Sequence, residues 1–232
     1  MLHCGGENHP IHYISDYKMT VLARCIENEF GQTVIETFWA GTGALQGGPV
    51  VFVSALDAEI IRQIENRSIP HNENQWERWE LSRIDLPQMI SMMGGTLHVH
   101  IFNAFVASQQ NSLIMPNHRT PRMSLIPIVF SDEDAPSQGA HITFKFDESY
   151  FESLREYWQI IMKDEYAESI EEVNNSSDEE LYTLAKKAIA SVQITPIQEI
   201  QFGLSDQLAL FSLLGQKWKF AKQDAFNTQQ PS

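Results

Sequence analysis

Gly94-Gly95-Thr96-Leu97-His98-Val99-His100-Ile101-Phe102-Asn103-Ala104-Phe105 is the stretch around which this chain is read. Two glycines supply a turn, and the residues that follow are rich in the β-branched and aromatic types that suit a pleated, half-buried surface. The pattern predicts a strand. Side chains two apart on a strand share a side, so His98 and His100 would stand about 6.5–7 Å apart at Cα, within reach of one divalent metal. Zinc needs at least a third protein ligand. Glu80, His71, His118 and His141 qualify by residue type, but no spacing places any of them beside the pair. The alternative is that both histidines line a half-buried face while Leu97, Val99 and Ile101 pack inward.

Upstream, Lys18–Ile26 and Gln32–Trp39 alternate well enough for two strands, and Glu27–Gly31 supplies turn residues, which predicts a hairpin. Gly41–Gly48 is glycine-rich but leads into a strand at Pro49–Val53 rather than a helix, and it lacks Gly-Lys-Ser/Thr. It therefore reads as a connection, not a phosphate loop. Asp57 would cap a helix over Ala58–Glu65, and Trp76–Leu81 reads as a strand. Asp85-Leu86-Pro87 opens a further helix that Gly94 stops.

Downstream, Ala107–Arg122 is polar and turn-prone and reads as a long loop. Strands are expected at Met123–Phe130 and His141–Phe146, joined by an exposed acidic turn over Ser131–Gly139. Ser149 and Glu152 have capping-box spacing for a helix running towards Val173. Ser177 and Glu180 repeat that spacing for a helix through about Val192. Pro196 breaks the chain. The apolar run Leu204–Leu214 is expected to be a last helix stopped by Gly215, and the tail from Lys217 is expected to fray.

These elements compose a single α+β domain over residues 1–232. A mostly antiparallel sheet of about six strands with short inserted helices would occupy about 18–147. The acidic and apolar helices of about 149–215 would pack on one face, followed by a frayed tail over 217–232.

The 232 residues carry a formal charge of −14, and its location matters more than its size. Residues 131–180 hold fifteen carboxylates against Lys145, Arg155 and Lys163, a local −12, whereas residues 181–232 come to +2. Such a field repels nucleic acid and membrane surfaces and steers a basic partner; its other reading is a solvated helix face. Asp164, Glu165, Glu168, Glu171 and Glu172 are the candidate contact residues. No Gly-x-Ser-x-Gly, His-Glu-x-x-His, P-loop or Cys-x-x-Cys occurs, so the residues lean against an enzyme, and no cofactor is implied beyond a metal at His98 and His100.

His3, Cys4, His9 and His12 group ligand-type residues near the start, at a spacing that matches no standard zinc finger. Cys4 and Cys25 allow at most one bridge, a usage suited to a reducing compartment. The start has no basic and apolar leader, and no apolar run approaches the ~20 residues of a membrane helix, so a cytoplasmic location is expected. The expectation is a cytosolic binder, inhibitor or immunity-type protein that meets a basic protein partner. The alternative is a metal-dependent enzyme or metal-binding protein centred on the histidine pair.

Overall fold

The computed structural model describes residues 2–3, 11–41, 47–115, 120–131, 142–146, 148–163, 165–196 and 207–222. In chain order the first strands are β1 (Leu2–His3), β2 (Ile11–Ile14), β3 (Thr20–Glu27), β4 (Thr33–Thr37), β5 (Trp39–Ala40) and β6 (Gly48–Phe52). Then come α1 (Ala55–Asn66), β7 (Glu77–Glu80), α2 (Leu86–Met92), β8 (Thr96–Ala107), β9 (Ser112–Met115), β10 (Met123–Ser131) and β11 (Ile142–Lys145). The chain continues through α3 (Glu148–Met162), α4 (Glu165–Asn175), α5 (Asp178–Ala190), β12 (Gln193–Pro196), β13 (Gln207–Ser212) and β14 (Lys217–Lys222). The fold is α+β. Among the described residues one mixed, mostly antiparallel sheet joins twelve strands, and β2 and β11 form a separate parallel pair, so the expected six strands undercount the sheet.

The glycine-led stretch is β8, and it is the hub. Along one edge it pairs antiparallel with β10 from Thr96↔Ser131 to Phe105↔Met123, with a bulge at Ser124/Leu125. Along the other edge it takes β6 in parallel at His100↔Val50 and β13 antiparallel at Phe105↔Ala209. Every residue from Ile101 to Ala107 is buried. A strand flanked on both edges and covered on both faces is apolar without alternation, as this half of β8 is apart from the buried Asn103.

Gly48 fits that crowding. A Cβ added there would meet the His98 carbonyl oxygen at 1.4 Å, so β6 approaches β8 as closely as it does only because the side chain is missing.

The hairpin of β3 and β4 forms in the register Glu27↔Thr33, with Gly31 at φ +72° in its turn. The helix start at Asp85 and the stop at Gly94 are also found, with Asp85 Oδ1 accepting from Gln88 N–H at 2.9 Å. The Ser177 capping box closes in both directions.

Several expectations are corrected. α1 begins at Ala55 and its cap is Ser54, which leaves Asp57 buried inside the first turn. The Ala107–Arg122 loop contains β9, reached through a tight turn with Asn111 at φ +59° and paired with β12. Ser149 lies within α3 rather than capping it, and the long helix expected towards Val173 is two helices, parted at Lys163 with φ +59°.

Leu204–Leu214 is not a helix, since Gln207–Ser212 is β13, and Lys217–Lys222 of the expected frayed tail is β14. A short apolar run fits a core strand as well as a buried helix, and here the open edge of β8 decides it.

Cys25 in β3 is disulfide-bonded, which removes the cysteine argument for a reducing compartment; Cys4 lies outside the described residues. Among the described residues no helix is long and apolar enough to cross a membrane.

Candidate functional site

His98 and His100 both stand on β8, half-buried, while Leu97, Val99 and Ile101 are fully buried. His98 faces Val129 across the ladder, and His100 faces Pro127 on one edge and Val50 on the other. Of the third-ligand candidates, Glu80 on β7 is ion-paired to Lys18 at 2.9 Å, and His71 is exposed in the loop after α1. His118, His141, Cys4 and His9 lie outside the described residues. Among the described residues no three His, Cys, Asp or Glu side chains converge as a metal cage would require.

The acidic region presents its charge on three helices. Glu148, Glu152 and Glu156 recur every four residues on α3 and are all exposed, so they form one stripe. Glu171 and Glu172 are exposed on α4, and Asp178, Glu179 and Glu180 open α5. Among the described residues, Asp178 is the one carboxylate of these eight in an ion pair, with Arg78. Glu180 is held below the usual carboxylate range by the Ser177 N–H and hydroxyl. Glu165 points inward enough to accept from the Ser212 hydroxyl, which ties α4 to β13. Asp164, and the side chain of Glu168, lie outside the described residues.

A cavity of about 170 Å³ opens between β7 and the starts of α1 and α5. Its wall carries two cations, Lys18 and Arg78, and two anions, Glu80 and Asp178, already joined as pairs. Lys18 holds the Glu80 carboxyl below its ordinary range. Beneath it Glu59, 1% exposed at its side chain, receives Arg78 Nε at 2.9 Å and Arg62 Nη2 at 2.6 Å. Gln63 Nε2 donates to the same carboxylate at 2.9 Å. This buried carboxylate is saturated, and it fastens α1 to β7.

Another buried carboxylate, Asp57, accepts from the Tyr166 hydroxyl, and burial pushes its pKa up to about 6. Burial and the neighbouring carboxylate push Tyr166 well above the ordinary phenol range. A perturbed pair of this kind would draw notice in a cleft. Here both groups are buried between α1 and α4.

The structure therefore leaves the histidine pair without a described third donor and lifts the acidic helices to the surface. The sequence reading passed over the α3 stripe, although its glutamates recur every four residues, and the cavity joins residues from Lys18 to Leu181 with no local signal. Comparison with protein-family models, with curated proteins and with solved structures finds no match to this chain.

Proposed function

We propose that the protein is a non-enzymatic interaction protein, a binder, inhibitor or immunity-type protein, whose acidic helical surface engages a basic protein partner. The observation that carries this reading is the set of exposed carboxylates on α3, α4 and the start of α5, of which Asp178 alone forms an ion pair among the described residues. Charge presented without internal partners acts outward, raising the encounter rate with an oppositely charged surface and fixing its orientation. The partner's surface is lysine- or arginine-rich; nucleic acid and anionic membranes are repelled.

The test is charge reversal on the outer faces of α3 and α4. The protein is used as immobilised bait to isolate a partner from its own host's extract, and association is then followed against ionic strength. Glu152→Lys, Glu156→Lys, Glu171→Lys and Glu172→Lys together should slow association roughly tenfold or more at low salt and flatten its salt dependence. A partner that associates with this variant at the unaltered rate would sink the proposal.

A further inference from the structure

We propose that the outer edge of β14 is a docking strand for an extended acidic segment of a partner protein. The inference goes beyond the proposed function, because it concerns another surface and the opposite charge.

β14 ends the strand order of the sheet, and among the described residues it pairs with β13 alone. Its outward N–H and C=O groups are a template for one more strand. Natural edges are blunted by shortness, proline, bulges or charge. β14 has six residues, no proline and an unbroken register from Lys217↔Ser212 to Lys222↔Gln207, so among the described residues charge is the device that protects it.

The edge is also held in place. Trp218 donates its indole N–H to the Ala188 carbonyl at 2.9 Å and meets Phe105 and Phe211 edge-on at 5.3 and 5.6 Å. A strand fixed in this way loses little freedom when another is added, which lowers the ordering cost of binding.

The charge then selects the occupant. Lys217 and Lys219 alternate to one face and Lys222 to the other, and the strand contains no carboxylate. None of the three forms an ion pair among the described residues, although the chain as a whole stands at −14. Two copies of this edge repel each other, so the lysines bar self-pairing. The same lysines place cations opposite the side chains of an incoming acidic strand. Leu214, 76% exposed in the turn before β14, adds an apolar contact at the end of the edge.

The experiment uses the full chain and a fluorescent, end-blocked eight-residue peptide that alternates Glu with Val or Thr, followed by anisotropy. A peptide of equal charge with two internal prolines and a single-stranded oligothymidylate serve as comparators. The strand-forming peptide is expected to bind saturably, more weakly as salt rises, and to slow hydrogen exchange at β14 amides. The triple variant Lys217→Gln, Lys219→Gln, Lys222→Gln should bind it roughly tenfold more weakly with an unchanged circular dichroism spectrum. If that variant does not fold, Lys219→Gln alone is measured and must weaken binding. Absence of saturable binding overturns the proposal, as does equal affinity for the proline peptide. Tighter binding of the oligonucleotide, unchanged exchange at β14, or a folded variant with unaltered affinity overturns it too.

Discussion

The Tyr166 hydroxyl of α4 donates to the Asp57 carboxylate in the first turn of α1, and both side chains are buried. Eight residues further along α4, Asn174 accepts from Ala55 N–H at 2.8 Å and donates to the Val53 carbonyl at 2.9 Å. The helix that carries Glu171 and Glu172 is therefore clipped to the start of α1 at two points, one of which titrates.

The titrating point makes stability depend on pH with a defined sign. Asp57 has a folded pKa of about 6 against 3.8 for an ordinary aspartate. Its contribution is fully present below about pH 3.8 and is lost as pH rises through 6, on the order of 3 kcal/mol in all. Glu80, whose carboxyl is lowered, works in the opposite direction, so the wild type must be read against Asp57→Asn. Urea unfolding at pH 4 and pH 7.5 should show the variant gaining on the wild type by roughly 2–2.5 kcal/mol at the higher pH. An equal difference at both values would rule out titration of Asp57 in this range. Tyr166→Phe should cost about 1–3 kcal/mol at pH 7.5, where the carboxylate loses its donor.

Glu59 predicts a loss of another kind. Removing it by Glu59→Ala takes from Arg62 and from Arg78, whose side chain is 14% exposed, the buried carboxylate they share, and leaves Arg78 with the exposed Asp178 alone. Breaking a buried pair of this kind costs up to about 3–5 kcal/mol. Chemical denaturation measures it, and a loss below about 1 kcal/mol would mean that water already shares the site.

Gly48→Ala places a methyl group onto the His98 backbone. Because the obstacle is main chain in a central strand, a rotamer change cannot relieve it and β6 must move away from β8. A destabilisation of about 3 kcal/mol or more is expected, at or beyond the usual cost of overpacking. Thermal unfolding checks it; a variant within about 0.5 kcal/mol of wild type would show that the two strands separate freely.

The comparison with the sequence divides along physical lines. The β3–β4 hairpin, the Asp85 helix start and the Ser177 box were legible because a glycine, an aspartate or a serine acts within a few residues of itself. β9 was hidden in polar sequence because its pairing with β12 lies about eighty residues away. Gln207–Ser212 carries no local sign of strand or helix; its state is set by β8. Asp57 was placed at a helix start, which is close, but nothing in the sequence foretold Tyr166 above it. The acidic helices were legible as charge, and the mixed Lys18, Arg78, Glu80 and Asp178 cavity was not.

One consequence of the hub strand concerns synthesis. Phe105 has Met123 on one edge and Ala209 on the other, so its second neighbour is translated about a hundred residues later. While the intervening chain leaves the ribosome, the buried half of β8 has one edge exposed, at the stage when apolar strands associate with other nascent chains. Loop closure over that distance slows completion of the sheet. Chains released before Gln207 should accordingly be the ones bound by chaperones or lost to aggregation.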